Sequence, residues 1–96
     1  QRMRSYELAI VLPGKATSAK KEKVKKLISD LVNQVKGKVL KEDDWGKVEL
    51  AYKIKKEESG IFLIFDLELV SESIKDINQK LRLEDGIMRY LLVRKE

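Results

Sequence analysis

The feature that most restricts the fold is the segment at residues 61–69, which is apolar at both sets of alternating positions at its centre. In an extended strand, Phe62 and Ile64 share one face. Leu63 and Phe65 then share the opposite face. A strand that is apolar on both faces is typical of the middle of a sheet. In a chain of 96 residues, one face can pack against helices, and the other face then needs a separate partner.

Two other segments have the apolar spacing of amphipathic helices. In residues 18–36, apolar side chains recur three and four positions apart, which predicts one buried helix face. Thr17 or Ser18 can cap the start of this helix, and Gly37 can cap its end. A shorter pattern of the same kind predicts a second helix that begins at Ser71 or Ser73 and runs through Arg82.

The remaining regular segments alternate apolar and polar residues, as strands do. Residues 43–46, Asp-Asp-Trp-Gly, interrupt one of them and predict a bulge or bend within a single long strand. Residues 55–60 predict a hairpin loop. The predicted strands cover residues 5–12, 38–54, 61–69 and 87–94.

The order of these elements is β-α-β-β-α-β, which favours a ferredoxin-like α+β sandwich. Right-handed crossovers that skip one strand give a four-stranded antiparallel sheet in the order 4-1-3-2, with both helices on one face. We expect residues 1–96 to form a single domain; Met3 is a natural start, so whether Gln1 and Arg2 are native or vector-derived stays open. The expected core comprises Leu8, Ile10, Leu27, Ile28, Leu31, Val39, Leu63, Phe65, Leu67, Ile77, Leu81, Tyr90 and Leu92.

The sheet face turned away from the helices, called the open face below, is predicted to be mainly apolar. Contiguous apolar residues on three neighbouring strands are typical of an interface with another molecule. The alternative is that scattered apolar residues on a solvated sheet have no function. The predicted open face carries Ala9, Val11, Phe62, Ile64, Leu91 and Val93.

Composition argues against catalysis. The chain has no Cys, and it has no His, the commonest general base and metal ligand. Its glycines stand singly, so no phosphate-binding glycine loop is present in the sequence. Glu42, Asp43 and Asp44 could be imagined as a magnesium site, but adjacent carboxylates at a strand bend favour a solvated or partner-facing acidic spot. We predict a non-enzyme without cofactor or metal.

The formal net charge is +5, from 21 Lys and Arg against 16 Asp and Glu. Lysines concentrate at residues 20–26. A solubilising helix surface and an anionic partner are two alternative explanations for them. Arg2 and Arg4 should lie near Arg94 and Lys95 at one corner of the sheet, which suits either phosphate contacts or the protection of strand edges. The longest apolar runs are too short to cross a membrane, and we expect a soluble, cytoplasmic protein.

Four short segments are distinctive in combination. They are Met-Arg-Ser-Tyr-Glu-Leu at residues 3–8, Trp45-Gly46 followed by Leu-Ala-Tyr-Lys-Ile at 50–54, Gly-Ile-Phe at 60–62, and Leu-Arg-Leu-Glu-Asp-Gly-Ile-Met-Arg-Tyr at 81–90. In order and spacing, the whole chain resembles bacterial small-subunit ribosomal protein six. That family has the ferredoxin-like fold, and Lys53 departs from its pattern, which commonly has Pro there.

The resemblance implies a structural protein of the cytoplasmic ribosome. It implies binding to the central domain, or platform, of the small-subunit ribosomal RNA as a heterodimer with ribosomal protein eighteen, with no membrane or small-molecule substrate. The implied RNA contacts are Arg4, Tyr52, Lys53, Lys56, Arg89 and Arg94. The implied partner surface comprises Asp43, Asp44, Trp45, Val48, Leu50 and Phe62.

The residues themselves leave a second function open. Ferredoxin-like domains also serve as protein-interaction or regulatory modules that use the open sheet face. Stable self-association of the isolated chain favours this alternative, whereas RNA binding together with the partner protein favours the ribosomal hypothesis.

Overall fold

A computed structural model describes residues 3–54 and 57–95, together with the side chains of these residues except 50–54, 57 and 58. Within this part of the chain, strands and α-helices follow one another in the predicted order. A short 3-10 helix, Ser71–Ser73, precedes the second α-helix. The elements are β1 (Met3–Pro13), α1 (Ser18–Gln34), β2 (Lys38–Ile54), β3 (Glu57–Val70), α2 (Ile74–Arg82) and β4 (Arg89–Arg94).

The strands form one antiparallel sheet in the order β2-β3-β1-β4. This is the predicted 4-1-3-2 order viewed from the other edge, so the predicted architecture is confirmed. Leu8 of β1 lies between Phe65 of β3 and Leu92 of β4, which defines the register at the centre of the sheet. Because side chains alternate along each strand, this register separates one set that faces the helices from a second set that faces away.

The core lies between the sheet and the two helices. Leu8, Ile10 and Leu63 are fully buried, and Ile28 of α1 and Leu81 of α2 belong to the same cluster. Burial of each large aliphatic side chain contributes about 1.5–3 kcal/mol, so this layer supplies most of the driving force for folding. Every residue of the expected core belongs to the cluster or packs against it. The cluster also includes Tyr6, Leu12, Val24, Val32, Ile61, Leu69 and Ile87.

The two ends of α1 differ in how well they were predicted. The Thr17 hydroxyl accepts a hydrogen bond from the backbone N–H of Lys20 at 3.1 Å, which confirms the N-cap. At the other end, the residue with left-handed backbone is Lys36, with φ 61°, whereas the predicted Gly37 contributes to the cap through its N–H, which donates to the Val32 carbonyl at 2.8 Å. A Cβ on Gly37 would lie 2.7 Å from the carbonyl oxygen of Glu68, so this glycine lets the chain pass close to β3.

The hairpin of β2 and β3 is longer than predicted. β3 begins at Glu57, so the predicted loop at residues 55–60 is wrong for its second part. Backbone pairing runs to Glu49↔Ser59 and, after a register shift, includes Ile54↔Glu57; such pairing needs no apolar side chains. The predicted interruption of β2 is confirmed as a bulge, because the register shifts between Asp44 and Gly46.

The second helix begins at the later of its two predicted starts, with Ser73 as its N-cap, and the last strand is shorter than predicted. The backbone of Ser71–Ser73 is a 3-10 helix, and regular α-helix begins only at Ile74. Ile87 and Met88 are buried in the connection before β4. Because they are apolar, the prediction included Ile87 and Met88 in the strand, which begins only at Arg89. The Met88 N–H donates to the Val11 carbonyl at 2.9 Å, which attaches this connection to β1.

Candidate RNA and protein interfaces

The open face is a continuous and mainly apolar surface, as predicted. Its residues form rows, because the pairing of β1 with β3 and with β4 aligns them across the sheet. Leu91 is 61% exposed and Val93 is 40% exposed, so the β4 side of this face is accessible to solvent. Both helices pack in the core on the opposite side. The two central rows are Ile64, Ala9 and Leu91, and then Phe62, Val11 and Arg89.

Strand β2 extends the open face with an exposed tryptophan. Trp45 is 63% exposed, and its ring stacks on Phe62 with centroids 6.4 Å apart and an interplanar angle of 13°. Val48 pairs with Gly60 and adds an exposed aliphatic side chain to the same face. Leu40, 55% exposed on β2, was missed because the register shift beside it is not visible in the sequence pattern.

A shallow apolar depression of about 340 Å³ lies on the open face. Val11 within it is buried, whereas Arg89 on the edge strand is exposed. An apolar hollow beside a guanidinium group combines the two contact types that protein interfaces favour. The depression is lined by Ala9, Val11, Phe62, Arg89, Tyr90 and Leu91.

The adjacent carboxylates Asp43 and Asp44 lie on opposite sides of β2. Asp43 pairs with Ile64 on the open face, and its carboxylate lies 3.6 Å from Lys41 Nζ. Asp44 pairs with Leu63, a core residue, and its carboxylate points to the helix side. Of the two, Asp43 is the residue placed to meet a molecule on the open face.

Asp44 connects α1 to the bulge of β2. Its Oδ1 accepts a hydrogen bond from the Gly46 N–H at 2.8 Å, and its Oδ2 lies 2.8 Å from Lys21 Nζ and 3.8 Å from Lys25 Nζ. The hydrogen bond with Lys21 is the largest cause that holds the pKa of Asp44 below its ordinary value. Gly46 N–H and the charge of Lys25 also lower this pKa, and partial desolvation opposes them. We call Lys21, Lys25, Asp44 and Gly46 the clamp.

The clamp accounts for part of the lysine cluster at residues 20–26. Lys25 Nζ also lies 3.8 Å from the Glu42 carboxylate and 3.4 Å from that of Glu22. Lys20 Nζ lies 4.0 Å from the carboxylate of Glu84. Lys20, Lys21 and Lys25 are therefore compensated in part by Glu42, Asp44 and Glu84, which are distant in sequence, and spacing along α1 does not show these contacts.

The arginines predicted to contact RNA lie at two separate places. Arg94 pairs with Tyr6, and Arg4 lies two residues further along β1, so both stand at one end of the sheet on the helix side. This is the predicted corner; Arg2, which was also expected there, lies outside the described residues. Arg89 pairs with Val11 at the other end of β4, on the open face. Five residue steps of strand, roughly 17 Å, separate Arg89 from Arg94.

Four predicted site residues cannot be placed. Lys56 lies outside the described residues, as do the side chains of Leu50, Tyr52 and Lys53. Their roles stay predictions.

The acidic side chains do not form a metal site in the part of the chain that the structure describes. There, no group of three or more Asp and Glu residues is arranged to hold a metal ion. None of the described helices has the length and apolar character needed to span a bilayer.

Comparison with known proteins supplies the family. The model of the family described as Ribosomal protein S6 matches residues 5–94. The chain belongs to the ribosomal protein S6 family. It is 38% identical to the small ribosomal subunit protein bS6 of Corynebacterium efficiens over 93 residues, 96% of this chain and 97% of that protein. It is 28% identical to the bS6 of Carboxydothermus hydrogenoformans over 94 residues, 98% of each chain.

The fold of this S6-family chain is also seen in a solved structure. The crystal structure of 30S ribosomal protein S6 from Thermotoga maritima matches it with a TM-score of 0.91, covering 98% of this chain and 89% of that chain at 20% identity. The resemblance inferred from the four sequence segments is confirmed. Because the S6 family is a structural family of the small subunit of the cytoplasmic ribosome, the predictions of a non-enzyme and of a ribosomal location are confirmed with it.

Proposed function

We propose that this S6-family chain binds the central domain of the small-subunit ribosomal RNA as a heterodimer with ribosomal protein eighteen. The observation that carries the proposal is the open face, an apolar surface across the sheet on the side away from both helices. Contiguous apolar surface of this kind is typical of a protein interface. Membership of a ribosomal family makes another ribosomal protein the natural occupant.

The partner surface is proposed to centre on the aromatic pair of Trp45 and Phe62. Large aromatic side chains carry much of the binding energy at protein interfaces. Val48 lies beside this pair on β2, and Asp43 provides a carboxylate on the same face for a basic partner. Asp44 contributes indirectly, because its carboxylate is engaged by α1. Leu50 completes the proposed set.

The RNA contacts are proposed to be electrostatic and distributed. Arg89 stands next to the proposed partner surface, so it can contact RNA that passes along the edge of the heterodimer. Arg4 and Arg94 form a second cationic point at the opposite end of the sheet. Tyr52, Lys53 and Lys56 complete the proposed contacts. Two separated points position an RNA more precisely than one.

A titration with RNA tests the proposal. A central-domain fragment of the small-subunit RNA is titrated with the chain, alone and with ribosomal protein eighteen, at several salt concentrations. Tight binding only in the presence of the partner, weakening as salt rises, is the expected result. Absence of binding in both cases would contradict the proposal.

The open face also fits the alternative, a protein-interaction or regulatory module. Sedimentation of the isolated chain distinguishes the two. A stable homodimer whose formation blocks ribosomal protein eighteen favours the module. A monomer that pairs with the ribosomal protein favours the heterodimer.

A further inference from the structure

Trp45 lies between two residues of the clamp. The hydrogen bond from the Gly46 N–H to Asp44 Oδ1 closes a turn around the tryptophan. Gly46 has φ 75°, a left-handed conformation that glycine adopts without a steric cost. The backbone on both sides of Trp45 is therefore restrained by contacts of its neighbours rather than by the indole itself.

Lys21 contacts this turn from the helix side of β2. Its ammonium group holds Asp44 on the helix side of β2 at 2.8 Å, and Lys25 reinforces it at 3.8 Å. With Asp44 held there, the next side chain is directed to the open face, where it stacks on Phe62. Trp45 is largely exposed, so burial alone restrains its orientation little.

We propose that Lys21 and Asp44 are positioning residues, which orient Trp45 for the partner protein although they lie on the other side of the sheet. The inference rests on the proposed function, since it takes the open face as the docking surface of the partner. An aromatic anchor that is oriented before binding loses less conformational freedom on binding. The charged residues of α1 thus act on affinity without touching the partner.

The first experiment uses the isolated chain, whose single tryptophan makes the fluorescence specific to Trp45. In Lys21→Gln, we expect a shift of the emission maximum and stronger quenching by neutral acrylamide, because the stack on Phe62 loosens. Lys20→Gln is the matched control: it removes the same charge from the adjacent position, whose partner Glu84 lies away from the bulge. Emission of Lys21→Gln identical to that of the control would overturn the inference.

The second experiment measures affinity for ribosomal protein eighteen. Lys21→Gln and Asp44→Asn are expected to weaken binding roughly three- to tenfold, and Lys20→Gln to leave it unchanged. In a Trp45→Ala background, the same two substitutions should have no further effect, because the side chain that they orient is gone. Equal weakening with and without Trp45 would assign a merely structural role and overturn the inference.

The two readouts separate this inference from the proposed function. If the unmodified chain does not bind ribosomal protein eighteen at all, the proposed function fails. If it binds, and Lys21→Gln binds equally well, the proposed function stands and the positioning role fails.

Discussion

Lys36, which follows α1, has a left-handed backbone that costs a residue with a Cβ about 1 kcal/mol or more. Glycine adopts this conformation without that cost, but it loses more conformational entropy on folding than a residue with a Cβ does. We therefore expect Lys36→Gly to raise the free energy of unfolding by about 0.5–1 kcal/mol, measured by urea denaturation. Lys36→Ala is the control, since it removes the charge and keeps the Cβ. Equal stabilisation by both variants would assign the effect to charge instead.

Asp44 should make the free energy of unfolding depend on pH in the acid range. Its pKa in the folded protein is below the ordinary value of 3.8, so its contribution is fully present above about pH 4–5 and is lost as pH falls through the lowered pKa. The difference in unfolding free energy between the unmodified chain and Asp44→Asn should be largest near neutral pH and shrink below pH 4. Urea unfolding at pH 7 and pH 3 measures both values.

Lys21 provides the check on this pH dependence. Its hydrogen bond is the largest cause of the lowered pKa of Asp44. At neutral pH, Asp44→Asn should therefore change the free energy of unfolding much less in a Lys21→Gln background than in the unmodified chain. An undiminished difference in the Lys21→Gln background would show that other contacts stabilise the carboxylate.

The opposite directions of Asp43 and Asp44 show where residue-level prediction from sequence ends. The sequence indicates a bulge at residues 43–46, but not how the inserted residue distributes its neighbours between the two faces. The same limit applies to Lys21, because its partner lies on β2, more than twenty positions away. The spacing of residues within one helix or strand gives no information about a contact between two elements that are distant in sequence.

At the scale of elements, apolar periodicity in the sequence detects the helices and strands that bury one face. β1 and α1 each bury one face, so their apolar spacing revealed them. The outer part of the β2–β3 hairpin is held by backbone pairs such as Glu49↔Ser59, whose residues are polar, and apolar spacing therefore assigned the start of β3 to a loop. The open face was predictable for the opposite reason, since the centre of β3, residues 61–65, is apolar on both faces.

Val48 tests whether β2 is an interface element or a core element. Val48→Asp places a charge on the open face beside Trp45, and we expect it to weaken partner binding roughly tenfold while the chain stays folded. Leu83→Asp is the matched control, because Leu83 is 77% exposed after α2, away from the sheet. Titration by calorimetry gives the affinities, and circular dichroism gives the folded fraction. Loss of folded structure in Val48→Asp would mean that β2 belongs to the core.

At the scale of the whole molecule, cationic groups lie at opposite ends of the sheet, with Arg89 on the open face and Arg4 and Arg94 on the helix side. If Arg89 contacts an RNA phosphate, Arg89→Ala should weaken RNA binding by the heterodimer and lower the slope of log affinity against log salt by about 1. Lys23→Ala, which removes an exposed charge from α1, should leave the slope unchanged. An unchanged slope for Arg89→Ala would remove Arg89 from the proposed contacts.

The lengths of the strands have a further consequence. β2 and β3 have 17 and 14 residues, whereas β1 has 11 and its pairing with β3 ends at Pro13↔Gly60. Beyond that pair, the described part of the hairpin is a two-stranded arm without a third strand beside it. Such an arm is an adjustable spacer: adding two residues to each strand lengthens it by roughly 7 Å and keeps every side chain on its face, whereas adding one reverses the faces. Evolution or design can therefore change the reach of the molecule in fixed steps without altering its core.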